Sequence, residues 1–115
     1  MTNRISISGA RLKTATVLKI EVARCAEIVK VQPSQVRVQK MTRKWASCSS
    51  AGWITLSVDL LDMPRGFQQV VILHELVHLR IPNHGKLFKS TMNALGPDWK
   101  DILRQHGNGK RVFRS

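Results

Sequence analysis

The sequence VVILHELVHLRIPNH, from Val70 to His84, is the stretch around which the rest of the chain is organised. It contains the pattern H-E-x-x-H as His74, Glu75 and His78, and a third histidine follows at position 84. Residues four apart lie on one face of a helix, so His74 and His78 can direct their imidazole rings at one ion. Glu75 then projects beside that ion.

The residues that follow the motif indicate a turn that returns His84 to the same ion. Pro82 cannot continue a helix and favours an extended conformation at the residue before it. Asn83 tolerates a left-handed backbone, which would allow a sharp turn. The apolar residues around the motif predict a buried helix, where Glu75 and the histidines would be costly without partners. A bound metal would remove that cost.

These side chains match the requirements of a catalytic zinc ion. Such an ion takes three protein ligands and keeps a fourth position for a water molecule, whose pKa falls to about 7. A neighbouring carboxylate can accept the proton of that water and pass it to a leaving amine. The sequence therefore predicts one zinc ion per chain, bound by His74, His78 and His84, with Glu75 as the general base.

Length and composition predict a single domain over residues 1–115, with residues 1–13 and 108–115 as loose basic tails. The chain has 115 residues, of which 43% are hydrophobic, as is usual for a globular protein. The N-terminus lacks the apolar core of a signal peptide, and no apolar stretch is long enough to span a membrane. Cys25 and Cys48 form neither a disulfide framework nor a C-x-x-C pair. We therefore predict a cytoplasmic protein with no membrane partner.

The formal net charge of +12 favours an acidic partner, because 19 lysines and arginines stand against 7 acidic residues. Non-specific nucleic acid is the simplest such partner, although a solvated basic surface explains the charge equally well. No helix-turn-helix, zinc-finger or RNA-recognition signature accompanies the charge. Any contact with nucleic acid would therefore be made to phosphates rather than to base edges.

Hydrophobic periodicity predicts an α+β fold. Apolar residues at helical spacing indicate an N-terminal helix over 14–30, and alternation indicates short strands over 36–41, 44–47 and 53–57. Short links between the strands suggest an antiparallel meander of about three strands. Helices are then predicted over 64–80, 85–95 and 98–106, the first of them being the buried helix that carries the motif.

With these residues in place, the chain resembles the YgjP-like zinc metallopeptidases and, more distantly, the SprT-like proteases. The resemblance rests on Trp45-Ala46-Ser47-Cys48-Ser49, Gly52-Trp53-Ile54-Thr55-Leu56, His74-Glu75-Leu76-Val77-His78, Asn83-His84, Phe88 and Pro97-Asp98-Trp99-Lys100. Most members have glycine in place of Ala46 and tyrosine in place of Trp99, and neither difference affects a proposed ligand. The resemblance implies a minimal zincin-like domain that hydrolyses peptides or unfolded proteins.

By analogy with zincins, the resemblance also implies a substrate strand and a group that stabilises oxyanion charge. A substrate in extended form would add to an edge of the sheet through main-chain hydrogen bonds. The strand that contains Trp53, Ile54 and Thr55 is the candidate edge, and Trp45 is a further candidate for substrate contact. The chain has no tyrosine, so the remaining candidates for the oxyanion are side chains of other types. They are His106, Arg80, Lys44 and the indole of Trp45.

Two other functions remain open from the sequence. Relatives in this family have been labelled nucleotide pyrophosphatases, so the metal could serve a phosphoanhydride substrate, but the chain has no glycine-rich phosphate loop and no carboxylate cluster for magnesium. The chain could also be a basic nucleic-acid-associated module whose metal is structural. Glu75 separates that module from an enzyme, because a purely structural site needs no carboxylate beside an open position.

Overall fold

The structure is a computed structural model that describes residues 6–106, with side chains from residue 15 onward. Residues 1–5 and 107–115, which hold part of the predicted N-terminal tail and the whole of the C-terminal one, lie outside the described residues. The described part is an α+β fold of four helices and a three-stranded sheet. The helices are α1 (Ser6–Val29), α2 (Arg65–His78), α3 (Lys86–Leu95) and α4 (Trp99–His106). The strands are β1 (Gln35–Gln39), β2 (Ala46–Cys48) and β3 (Trp53–Ser57), and a 3-10 helix (Val58–Asp62) leads from β3 towards α2.

Helix α1 begins at Ser6, earlier than the predicted start at residue 14. The predicted start rested on apolar periodicity, which is weak over residues 6–13. That stretch nevertheless contains alanine, leucine, arginine and lysine, which are good helix formers. The helix ends at Lys30, whose φ of 64° is left-handed. The backbone N–H groups of Lys30 and Val31 both donate to the Ala26 carbonyl, at 2.8 and 3.1 Å, which satisfies the helix end.

The sheet has the order β1-β3-β2, so β3 is its central strand. β1 pairs with β3 in parallel, and β2 pairs with β3 antiparallel. The predicted antiparallel meander is therefore wrong in its strand order, and the sheet is mixed. The burial of β3 explains the difference: Ile54 to Ser57 are all buried, as a central strand requires, whereas β1 alternates between exposed and half-buried residues.

Helix α2 lies at the centre of the fold and contacts α1, β2, α3 and α4. Its apolar side chains are buried on nearly all sides, and each contributes about 1.5–3 kcal/mol relative to exposure. They are Phe67, Val70, Val71, Ile72, Leu76 and Val77. Because this helix is held by packing on so many sides, the polar side chains that it carries have fixed positions.

A buried carboxylate joins α1 to α2. Glu21 is only 7% exposed, and its Oε2 accepts a hydrogen bond of 3.0 Å from Gln69 Nε2 on α2. Arg24 and Arg65 lie 3.3 and 3.5 Å from its Oε1. Burial and the neighbouring carboxylate raise the pKa of the Cys25 thiol to about 12, so this cysteine stays protonated. Helix α1 is therefore fixed to the first turns of α2 by polar contacts as well as by apolar packing.

Within residues 6–106, no helix is both long enough and apolar enough to cross a membrane.

Candidate metal centre

Helix α2 places two histidines of the motif on one face. His74 is completely buried and His78, one turn later, is half-buried, and their ring centroids lie 4.9 Å apart. The helix ends at His78, where the N–H groups of Leu79 and Arg80 donate to the Leu76 and Val77 carbonyls. The two rings therefore lie at the end of the helix, beside the chain that leaves it.

The link from α2 to α3 returns His84 to the same place. Pro82 has no N–H to continue the helix, and Asn83 Oδ1 accepts a hydrogen bond of 3.2 Å from the N–H of Gly85. Lys30 is the only non-glycine residue with positive φ among those described, so Asn83 does not adopt the predicted left-handed backbone. The turn is made through the asparagine side chain instead.

The three histidines present a set of nitrogens suited to one metal ion. One ring nitrogen from each of His74, His78 and His84 lies within 4.8 Å of the others. The Nε2 atoms of His78 and His84 are 2.8 Å apart. Two nitrogens that bind one zinc ion tetrahedrally at 2.0–2.1 Å are separated by about 3.3 Å, so the rings of His78 and His84 would have to separate slightly on binding. Imidazole is a preferred zinc ligand, and the donor set therefore fits the predicted ion.

The environment favours the neutral form of His74 and His78, which a metal requires. Burial lowers the pKa of His74 from 6.5 to about 4. Burial, and to a lesser extent the neighbouring His74, also lowers the pKa of His78. The carbonyl oxygen of Ile81 lies 3.2 Å from Nδ1 of His78 and can accept a hydrogen bond from the N–H there. Nε2 of His78 is then the unprotonated nitrogen that can bind a metal.

The lowered pKa of His74 predicts an acid-sensitive stability for the metal-free protein. In chelator, the unfolded state binds a proton at His74 near pH 6.5 and the folded state only near pH 4. The contribution of His74 to the free energy of unfolding is therefore fully present above pH 6.5 and decreases as the pH falls towards 4. The total decrease is about 3 kcal/mol. Urea unfolding at pH 7 and pH 4 should show this loss, and a His74→Leu variant should lack it. Equal losses in both proteins would contradict the assignment.

Glu75 lies beside the histidines in a nearly water-free position. Its side chain is on α2 next to His74, and its Oε2 is 3.2 Å from His74 Nδ1. The residue as a whole is 2% exposed. The carboxylate can accept a hydrogen bond from Nδ1 of His74, which would leave Nε2 of that ring for a metal.

Two aromatic residues pack around the histidine rings. Phe88, buried on α3, contacts all three, with centroid distances of 5.1, 4.6 and 4.8 Å to His74, His78 and His84. Its ring stacks on that of His78 at an interplanar angle of 28°. Trp99 lies 6.3 Å from His74 and donates a hydrogen bond of 2.8 Å from Nε1 to Asn93 Oδ1. The sequence did not predict these contacts, which depend on how α3 and α4 pack against α2.

The predicted substrate strand does not offer a free edge. β3 is paired on both sides, so its main-chain groups are already used. Ile54 is completely buried in the core and Thr55 is 6% exposed, while Trp53 is 39% exposed. Trp45, just before β2, is 3% exposed and packs edge-on against Phe67 at 5.1 Å. β2, which contacts α2, is the edge strand beside the metal helix.

The candidates for the oxyanion lie in different places. Arg80 Nη1 donates to the Val29 carbonyl at 3.1 Å, so its guanidinium caps the end of α1 rather than facing the histidines. His106 packs against Phe67 at 5.8 Å, and Phe67 lies seven residues before His74, about 10 Å along the helix axis. Lys44 is half-buried in the link before β2. Within the described residues, the structure brings together His74, Glu75, His78 and His84, whereas Arg80 and His106 contact other parts of the fold.

Comparisons with known proteins agree with this geometry. A family model described as "YgjP-like, metallopeptidase domain" matches residues 6–106. The crystal structure of the metallopeptidase zymogen of Pyrococcus abyssi abylysin is similar to this fold with a TM-score of 0.70 and 20% identity, covering 84% of this chain and 99% of that one. The crystal structure of the metallopeptidase zymogen of Methanocaldococcus jannaschii jannalysin is similar with a TM-score of 0.68 and 22% identity, covering 76% of this chain and 91% of that one. No curated protein sequence matches the chain.

Proposed function

Because the chain belongs to the YgjP-like metallopeptidase family, we propose that it is a zinc-dependent peptidase. In this proposal His74, His78 and His84 hold the ion and Glu75 is the general base. The observation that carries it is the convergence of three histidine nitrogens within 4.8 Å, beside a carboxylate that is 2% exposed. Its Oε2 also lies 3.2 Å from Nδ1 of His74, a position from which a carboxylate orients a ligand histidine in structural and catalytic sites alike.

The side chains divide the reaction between them. When bound, zinc supplies a Lewis acid and lowers the pKa of water to about 7. Glu75 accepts the proton of the attacking water and returns it to the nitrogen of the departing amine, so that one carboxylate serves both halves of the reaction. Phe88 keeps the imidazole rings in place through its contacts with all three of them. His74 and Glu75 are buried, so bulk solvent screens the charge of the Glu75 carboxylate less.

The edge of β2 is the proposed place for the peptide. β2 runs from Ala46 to Cys48, pairs with β3 on one side only, and contacts the metal helix. An extended peptide can add to this edge by main-chain hydrogen bonds, which require no particular side chains in the substrate. An unfolded protein segment fits this mode better than a folded protein does, because its backbone is available.

A peptide substrate is favoured over a phosphoanhydride by what surrounds the histidines. Enzymes that transfer or hydrolyse polyphosphates usually hold magnesium through carboxylates. In the part of the chain that the structure describes, the three histidines are the only group of three or more potential ligands that could hold a metal. No acidic magnesium site accompanies them there.

The proposal is tested by giving the zinc-loaded protein a reduced, alkylated protein labelled with a quenched fluorophore and, separately, nucleoside triphosphates. We expect a rise in fluorescence that a chelator abolishes and added zinc restores, without release of phosphate or pyrophosphate. Zinc-dependent phosphate or pyrophosphate release without proteolysis would replace the peptidase with the phosphoanhydride hydrolase. No turnover of either substrate by a fully zinc-loaded protein would leave the metal with a structural role.

A further inference from the structure

One face of the sheet is turned away from the metal helix. In the register of β1 and β3, Val36 pairs with Ile54 and Val38 with Leu56, and these side chains belong to the core. Side chains alternate between the faces of a strand, so the residues in between point to the other side. Thr55 and Ser57 of β3 also lie on this side but are only 6% and 0% exposed. We define the open sheet face by the four residues of this side that are exposed. They are Gln35, Arg37, Gln39 and Trp53.

Trp53 is the large aromatic residue of this face. It is 39% exposed, whereas Trp45 and Trp99 are only 3% and 6% exposed. The guanidinium carbon of Arg37 lies 4.8 Å from the centroid of the Trp53 ring, so the cation lies over the indole. An exposed indole and a guanidinium plane are both surfaces on which a nucleic-acid base can stack.

The charged side chains of the sheet region are all positive. Residues 28–58, which contain all three strands, include no aspartate or glutamate but carry five basic residues. Four of these, Lys30, Arg37, Lys40 and Arg43, are exposed. A surface of this kind raises the local concentration of polyanions and accelerates their association. The charge of the sheet region is therefore complementary to a phosphate backbone.

We propose that the open sheet face binds single-stranded nucleic acid, with a base stacked on Trp53 and phosphates against Arg37, Lys40 and Arg43. A single strand fits because its bases are free to stack, whereas in a duplex they are covered by their neighbours. A flat sheet surface also offers no helix that could enter a major groove. Stacking is tolerant of sequence, so binding should show little base preference.

This surface is independent of the metal centre. The core residues of the sheet and those of α2 belong to one buried cluster, so the metal helix lies on the side opposite to the open sheet face. Nucleic-acid binding should therefore persist in a Glu75→Gln variant and in the presence of a chelator. Failure of the proposed peptidase activity would leave this inference untouched.

The test is fluorescence anisotropy with the full chain and a labelled oligothymidylate of about 20 nucleotides, at several salt concentrations. We expect Trp53→Ala to weaken binding by about tenfold and Trp53→Phe to weaken it much less, because phenylalanine still stacks. Log affinity falls as log salt concentration rises, and Arg37→Gln should make this fall shallower by about 0.7 in slope. Lys89→Gln, which removes the same charge from the exposed side of α3, is the matched control and should leave the slope unchanged.

Tryptophan fluorescence gives a second readout, because non-specific electrostatic binding elsewhere on the surface would not quench Trp53 emission. Because Trp53 is the exposed tryptophan among the three, the oligonucleotide should quench the emission of the natural protein. The Trp53→Phe variant should bind and show no quenching. Thermal melting of each variant establishes that it is folded.

Several outcomes would overturn the proposal. One is the absence of binding at low salt. A second is equal loss of affinity in Arg37→Gln and Lys89→Gln, which would show a general effect of net charge. A third is a duplex of the same length that binds as tightly as the single strand. The fourth is equal competition by polyglutamate at the same charge, which would make this a surface for any polyanion, including acidic proteins.

Discussion

Replacing Glu75 with glutamine should lower kcat for peptide hydrolysis by about 10²–10⁴-fold while the zinc content stays the same. Glutamine has nearly the same shape as glutamate, so the packing of this buried side chain is kept. It cannot accept the proton of the attacking water, and the step that depends on that transfer is lost. The loss should appear in kcat rather than in KM, because substrate binding does not involve the carboxylate.

The measurement combines zinc stoichiometry with steady-state kinetics on an unfolded protein substrate. Glu27→Gln is the matched control, since Glu27 is exposed on α1 and the substitution changes the charge equally. It should keep full activity. A Glu75→Gln variant that binds zinc normally and retains full activity would falsify the general-base assignment.

Replacing His84 with alanine should lower the affinity for zinc by much more than about 100-fold. Loss of a residue that only hydrogen-bonds to a ligand lowers metal affinity by about 10–100-fold. His84 supplies one of the three converging nitrogens, and its removal leaves only His74 and His78 on α2. A site with two histidines has lost one of the three protein ligands that catalytic zinc requires. Because His84 is exposed, alanine there should alter the thermal stability of the metal-free protein little.

Zinc affinity is best measured by competition with a chromophoric chelator. His106→Ala is the matched control, because His106 packs against Phe67 and not against the three histidines. Unchanged stoichiometry and affinity in His84→Ala would show that His84 is not a ligand.

Local sequence signals were sufficient for the bounds of α2, α3 and α4 and for the three clustered histidines. The spacing of His74 and His78 depends only on helical geometry, and Pro82 limits the helix independently of the rest of the fold. These features involve residues close in the chain. For the same reason, the start and end of α2, α3 and α4 lie within about two residues of the prediction, the usual difference between definitions of helix ends.

Features that depend on distant parts of the chain were not predicted. The parallel pairing of β1 with β3 brings together strands that are separated by all of β2. It also places β3 at the centre of the sheet, so a substrate edge on that strand was wrong. The buried contacts of Glu21 with Gln69 join residues 48 positions apart. A signal for Glu21 did exist, because it lies at helical spacing from the buried residues Leu18 and Cys25.

Arg80 makes another contact between distant parts of the chain. Its cationic side chain made it a candidate to stabilise oxyanion charge. Its guanidinium instead donates to the Val29 carbonyl at the end of α1. A long cationic side chain can reach several acceptors, and which of them it uses depends on the nearest unpaired carbonyl groups in the folded chain.

The unequal burial of the three histidines has a consequence for metal exchange. His74 is completely buried on a helix that is packed on several sides, whereas His84 lies in an exposed link that can move without unfolding the core. We therefore expect His84 to dissociate first, which opens the ion to a competing ligand from solvent. The rate of zinc loss in stopped-flow mixing should then rise with chelator concentration. A rate that is independent of the chelator and equal to that of global unfolding would show that the buried helix must open first.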